Sequence, residues 1–394
     1  MSQLSDAPLV VPASAKAPNL PAERLVSLDV FRGATIALMI IVNNQDEEVA
    51  YWPLKHARWN GWTPTDLVFP FFLFIVGVAL AFSFAGRLRR GESRRTLVSH
   101  VMRRGLILFT IGFFLHGFSA RFQLDHWRVY GVLQRIAICY VISAVLVLYS
   151  GRSARLAAIA TACLVSYWLL MRYMPVPGFG IPVRDIPLLD PDRNLAAWLD
   201  RKLLMGHLYE GTRDPEGVLS TIPALATCLL GVLTGQWLRS ARNITQKAAG
   251  LLVAGLIGVG LGESLNPWFP INKKLWTSSY VLLTAGLALM ILALLYWLVD
   301  GKRWRGPWTK PFVILGVNAI AAYVFAELLA VLLAAVNLRF ANGTTVSGGD
   351  FNYREWFAPL GSPPSRSLLF SITFLLVCWF VMWVLYRRRI FIKI

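Results

Sequence analysis

Charge is what this sequence has least of. Of its 394 residues only 15% are Asp, Glu, Lys or Arg, where a soluble domain carries about a quarter. The marks of several common chemistries are missing too. There is no Walker-type phosphate loop and no GxSxG turn, so neither a P-loop nor a nucleophile elbow is present. No HExxH or CxxC occurs. His100, His116, His126 and His207 stand at no ligand-like spacing from Cys, Asp or Glu, so no metal site is expected. Cysteine is scarce, and Cys139, Cys163, Cys228 and Cys378 all fall inside apolar runs, which argues against a disulfide framework. Residues 1–23, rich in Ala, Pro and Ser, hold no apolar stretch of useful length and read as a disordered tail rather than a leader peptide.

Apolar residues fill the rest, 56% of the chain. They come in runs such as Leu67–Phe84 and Val281–Val299, and ~20 such residues in a helix match the ~30 Å hydrocarbon layer of a bilayer. The net charge of +18 invites a nucleic-acid reading. Its arginines, however, gather in short loops between apolar runs, the pattern of a membrane protein. About ten membrane helices are predicted, near 26–44, 66–86, 102–120, 130–150, 155–174, 218–238, 246–263, 277–299, 311–337 and 366–387. The expected fold is therefore an all-α, polytopic helical bundle, with residues 24–394 as one transmembrane domain.

Positive loops give the orientation. Arg87, Arg89, Arg90, Arg94, Arg95, Arg103 and Arg104 flank the second and third helices. Arg152 and Arg155, Arg239, Arg242 and Lys247, then Lys302, Arg303, Arg305 and Lys310 fall on the same side, as does Arg387–Arg389. That side is expected to be cytoplasmic, with both termini on it. The opposite loops, 44–65, 121–129, 175–217, 264–276 and 338–365, are of mixed charge, mostly longer, and rich in Pro, Gly, Trp and Tyr. Loops held by a rigid scaffold are where function tends to sit. The glycines Gly255, Gly258, Gly260 and Gly262 follow no strand and read as helix packing through small residues. Asn243 and Asn342 open Asn-x-Thr triplets, a pattern too common to carry an assignment.

The densest polar stretch joins the first two helices: Asn43 to Glu48, then Lys55 to Asn60, then Thr63, Thr65 and Asp66. Asp66 opens a strongly apolar run, and an acid there suits a helix N-terminus. It also stands ten residues after His56, at a spacing that lets a carboxylate orient an imidazole acting as general base or acyl acceptor. Asn43, at the outer end of the first helix, is a candidate oxyanion donor. Other charges interrupt apolar segments. Asp29 and Arg32, three residues apart, read as an ion pair. Gln134 and Arg135 in the fourth helix and Glu327 in the ninth mark either structural pairing or a polar cavity. Glu327 equally suits a proton-coupled transporter.

The runs RLVSLDVFRG, MIIVNN and YWPLKHARWNGWTPTDLVFPFFLFIVG closely resemble the heparan-alpha-glucosaminide N-acetyltransferase family and its bacterial, NagX-like members. GVLQRIAICY, DPEGVLSTIPA, NPWFPINKKLWTSSYVL, LGVNAIAAYV and LYRRRIFIKI extend the similarity over residues 24–394. The resemblance implies a transmembrane acyltransferase that takes acetyl-CoA from the cytosol and acetylates the amine of a terminal glucosamine on the far side. It maps the active-site histidine onto His56, its acid onto Asp66 and its asparagine onto Asn43. Trp59, Asn60, Gln134, Arg135 and Lys274 become expected acceptor contacts. Arg103, Arg104 and Lys310 are expected to draw the phosphates of acetyl-CoA. Two departures are visible. The segment between Asn43 and His56 is acidic rather than glycine-rich, and the human-type N-terminal lumenal region and extra helix are not expected here. A multi-pass protein of a bacterial inner membrane follows, bound to lipid and not to nucleic acid, with a homodimer left open. A transporter of amino sugar or oligosaccharide, and an O-acetyltransferase of an envelope glycan, stand as alternatives.

Overall fold

A computed structural model describes residues 25–339, 345–347, 357 and 359–392. The expected tail, 1–23, and most of the loop at 338–365 lie outside them, Asn342 included. The helices are α1 (Val26–Asn43), α2 (Val68–Arg89), α3 (Arg94–Ser119), α4 (Val132–Ser150), α5 (Ser153–Tyr173) and α6 (Leu195–Leu203). They continue as α7 (Thr221–Leu238), α8 (Ile244–Leu265), α9 (Ser278–Leu295), α10 (Thr309–Val317), α11 (Ala319–Ala335) and α12 (Pro363–Arg387). A pair of three-residue strands, Asn337–Arg339 and Thr345–Ser347, is the one β element among the described residues.

Among those residues nine helices are long and apolar enough to cross a bilayer, and α10 with α11, an apolar pair bent by 82°, brings the number to at most ten. The all-α membrane bundle is thus the observed architecture. Three details differ from the sequence expectation. The third span starts at Arg94, because Ser93 caps it by accepting the Thr96 N–H at 3.1 Å. The ninth, expected as one helix, breaks at Asn318. The loop 175–217 contains the amphipathic α6, capped by Asn194 through the Ala197 N–H at 2.9 Å.

Lipid supplies no hydrophobic drive between helices, so contact depends on small residues that let backbones approach. α2 forms the axis: 67% of its most apolar stretch is buried, against 22% for α8 and α12, which turn outward. A Cβ on Gly77 would lie 2.0 Å from the Cys228 carbonyl oxygen, so α2 and α7 meet only through glycine there. α8 crosses α9 in the same way, with Gly255, Gly258 and Gly262 against Gly286 and Leu283. Of the glycines read in the sequence, Gly255, Gly258 and Gly262 are therefore helix packing, while a Cβ on Gly260 would meet nothing within 4 Å.

The two faces differ as their loops do. On one, the connectors are short and arginine-rich, and the described chain both begins and ends there. Asp300 takes the Val26 and Ser27 N–H groups at 3.3 and 3.1 Å, fixing the start of α1 and complementing its dipole. On the other face, long loops interlock into a cap. Trp59 donates to the Leu189 carbonyl at 2.8 Å, Gly61 to the Ile271 carbonyl at 2.8 Å, and Tyr167 to the Leu275 carbonyl at 2.6 Å.

Candidate functional site

The site is built where the loop after α1 returns to start α2. Thr63 and Pro64 open a 3-10 turn that runs into α2, and Asp66 is its capping acid. One carboxylate oxygen, Oδ2, accepts the N–H groups of Thr63 and Ala57, both at 3.0 Å, and the Thr63 hydroxyl at 3.2 Å. The other, Oδ1, faces His56 Nδ1 at 2.7 Å. The two roles open for Asp66 are thus filled together: one oxygen caps the helix, and the other holds the ring. A carboxylate can only accept, so Nδ1 carries the proton and Nε2 keeps its lone pair. The backbone N–H of His56 donates to Glu47 at 3.3 Å. Asp66 is 1% exposed and His56 34%, so the ring meets the cavity while its anchor does not.

Lys273 completes the group. Its Nζ lies 2.9 Å from His56 Nδ1, 3.3 Å from Nε2 and 3.4 Å from Asp66 Oδ1. Burial pushes this ammonium below the usual lysine range, against the opposing pull of Asp66 and Glu216. The turn that presents it is set by Asn272, which bonds Asn60 at 3.2 Å and accepts the Leu275 N–H at 2.9 Å. Neighbouring Lys274 does not reach His56 and pairs with Glu210 at 2.8 Å.

A cavity of about 1620 Å³ opens beside His56. Asn43, Glu47, Asp66, Lys273, Tyr323 and Glu327 line it towards the loop-rich face. Asp29, Arg32, Ser83, Arg104, Phe391 and Ile392 line it towards the short-loop face. Along α1 it reaches from Asp29 to Asn43, which at 1.5 Å per residue is about 20 Å.

The other expected residues divide. Asn43 lines the cavity and donates to Glu327 Oε1 at 3.3 Å. Trp59 and Lys274 line it as well. Asn60 is exposed outside it, holding Asn272. Gln134, fully buried, borders a small void with His116 and Glu327. Arg135 is also fully buried but stays in the core, where it donates to the Gly217 carbonyl at 3.0 Å and to Ser220, 5.2 Å from the centre of the Trp276 ring. Of the expected phosphate ligands, only Arg104 reaches the cavity; Arg103 and Lys310 are exposed and do not line it. Arg103 follows from helix geometry, since adjacent residues point ~100° apart. Asp29 and Arg32 do pair, at 3.3 Å.

Sequence reasoning missed Lys273 and one further cluster. Arg128 bonds Asp214 at 2.9 Å through Nε and 2.5 Å through Nη2, and also bonds Glu216. Although burial works against the charge, Glu216 and Asp214 hold Arg128 above the usual arginine range. Burial likewise opposes the Glu216 charge, yet Arg128 and Arg135 keep its carboxyl below the usual range. The only signal was a run of charges, DPEG, facing an arginine on a distant loop. Among the described residues no group of three or more His, Cys, Asp or Glu is placed to hold a metal ion.

Fold and site together define a polytopic helical membrane protein with a polar cavity along its axis and a histidine–carboxylate pair at one mouth. A family model described as heparan-alpha-glucosaminide N-acetyltransferase, catalytic, matches residues 24–269. Two curated relatives of that name agree with it. The Mus musculus protein is 34% identical over 358 residues, 78% of this chain and 54% of the relative. The Homo sapiens protein is 34% identical over 369 residues, 81% of this chain and 55% of the relative. The chain belongs to the heparan-alpha-glucosaminide N-acetyltransferase family. It spans about half the length of these relatives.

Proposed function

We propose that this protein is a transmembrane acetyltransferase, moving the acetyl group of acetyl-CoA to the amine of a glucosamine-type sugar. The observation that carries the reading is the single cavity that links His56 at one face to Arg32 and Arg104 near the other. Such a passage lets a donor and an acceptor meet without either crossing the bilayer. The arginine-rich short loops support placing that face in the cytoplasm, with the His56 face outside a bacterial inner membrane.

Acetyl-CoA enters from the arginine-rich face, its phosphates drawn by Arg104 and Arg32. The thioester on its flexible arm reaches His56. The Nε2 lone pair, exchanging Lys273 for the substrate, takes a proton from the acceptor ammonium, and Asp66 steadies the imidazolium that results. The neutral amine attacks the thioester carbon; the C–S bond breaks and CoA leaves as the thiol. Lys273 and Asn43 are the candidate donors to the developing oxyanion. A route through acetyl-His56 uses the same groups.

Purified protein in detergent, given labelled acetyl-CoA and glucosamine, should transfer acetyl. His56→Ala should abolish transfer while CoA binding persists; substantial transfer by the variant would remove His56 from the mechanism. The break at Asn318 and the membrane-embedded Glu327 favour a second reading, an amino-sugar transporter, since interrupted helices often line transport sites. It predicts uptake of labelled sugar into vesicles with no acetyl-CoA consumed.

A further inference from the structure

The C-terminal segment beyond α12 is folded back and clamped. α12 ends at Arg387, and Arg389 adopts a left-handed φ of 56°, which reverses the chain. Ile390 then donates to the Leu385 carbonyl at 2.9 Å. The clamp is Asn318, fully buried at the α10–α11 break. Its Nδ2 donates to the Ile390 carbonyl at 3.0 Å, and its Oδ1 accepts the Ile392 N–H at 3.0 Å. Both ends of one amide thus grip the backbone on either side of Phe391. A hydrogen-bond pair of this kind fixes register, not merely proximity.

Phe391 is held at the cavity rim, 41% exposed, with Ile392 beside it. Arg32 is brought to the same rim, because its Nη1 donates to the Gly316 carbonyl at 3.2 Å, two residues before Asn318. Phe391, whose ring meets Tyr386 edge-on at 6.2 Å between centroids, and the Arg32 guanidinium line the same end of the cavity, near the exposed Arg388 and Arg389, and this combination suits a ligand that joins a planar base to phosphates. An apolar lipid tail would not need the cations, and an inorganic anion would not need the ring.

We propose that the Asn318-clamped segment 390–392 is a wall of the donor site, with Phe391 packing on the nucleotide base of the acyl-CoA and Arg32 beside its phosphates. The inference rests on the proposed acetyl-CoA dependence and adds to it the residues that recognise the nucleotide. Asn318 is a positioning residue that acts through Phe391.

The test compares wild type with Asn318→Ala and Phe391→Ala, the second removing a partly exposed ring while keeping the Asn318 bonds to the backbone on either side of it. Displacement of labelled CoA by adenosine 3′,5′-bisphosphate, which is the nucleotide end of CoA, should weaken roughly 5- to 150-fold in both variants, the span of one base–aromatic stack. KM for acetyl-CoA should rise in step while kcat holds. With S-acetylpantetheine, a donor without the nucleotide, kcat/KM should stay within about twofold of wild type, against that stacking scale. An equal loss with both donors would reduce the segment to a structural role, and no loss with either would take it out of the donor site; each overturns the proposal. Wild type that binds neither CoA nor the bisphosphate would instead overturn the acetyl-CoA reading itself.

Discussion

Lys273 and His56 are 217 residues apart in sequence, yet Lys273 Nζ and His56 Nδ1 are 2.9 Å apart. The lysine comes from the loop before α9 and the histidine from the loop before α2, so the group forms only when the loop-rich cap is assembled. Because Nδ1 already donates to Asp66, the ammonium is not bound to a ring lone pair there. Its remaining partners are Asp66 Oδ1, Nε2, and whatever oxygen the cavity brings to them.

In the proposed mechanism Lys273 is a cation that meets the reacting carbonyl, and such a group should matter more in the transition state than in the ground state. Lys273→Met is expected to lower kcat by roughly 10²–10³, the loss typical of one oxyanion donor. KM for acetyl-CoA should barely move. A rise in KM with kcat intact would make Lys273 a binding residue only. Lys274→Met, which loses only the pair with Glu210, should cost far less.

Asp66 allows its two roles to be separated. Asp66→Asn keeps an oxygen able to accept from Thr63 and Ala57, but it takes away the negative charge that steadies the imidazolium. Activity should fall by about 10²–10⁴ with the melting temperature little changed, as expected for an orienting carboxylate. Asp66→Ala removes the cap as well and should cost about 1 kcal/mol more in stability. Full activity in a well-folded Asp66→Asn protein would leave the carboxylate a capping role alone.

Arg128 tests the second charged cluster. It is the cation between two carboxylates, and Asp214 and Glu216 are both buried. Arg128→Met would leave them facing each other with one fewer cation, and breaking a buried pair from one side costs about 3–5 kcal/mol. Thermal unfolding in detergent should show a large drop, recovered in part by adding Glu216→Gln. Equal melting temperatures for Arg128→Met and wild type would show that the cluster contributes nothing to stability.

The helices were legible because a bilayer writes a strong rule into sequence: apolar runs of fixed length, arginine at their short-loop ends. His56 and Asp66 were legible because they are close in sequence and the turn between them is short. Lys273 was not, since a run of two lysines does not say which one a turn aims inward; Asn272 decides that through bonds to Asn60 and Leu275. Arg103 and Arg104 posed the same difficulty on a helix, where only the three-dimensional packing shows that Arg104 faces Tyr140 and the cavity. The break at Asn318 gave no signal of its own. Its amide bonds to a segment more than 70 residues later, a partner that local sequence does not reveal.

The loop that carries α6 holds a group whose protonation should be visible in stability. Asp200 is 2% exposed and accepts the Val218 N–H at 2.9 Å. Gly217 lets it come so close, because a Cβ there would meet Asp200 Oδ2 at 2.0 Å. Burial pushes the carboxyl up to about 6, and the Asp214 charge adds to it. An acid whose folded pKa is raised binds its proton more tightly in the native state. Its stabilising contribution is therefore complete below about pH 4, the unfolded value, and is lost as pH rises through about 6. About two units correspond to roughly 3 kcal/mol. Asp200→Asn keeps an acceptor for Val218 but never ionises, so its melting temperature relative to wild type should climb between pH 4 and 7 and then level off. A difference that stays constant across that range would mean that Asp200 ionises in the folded protein as freely as in the unfolded chain.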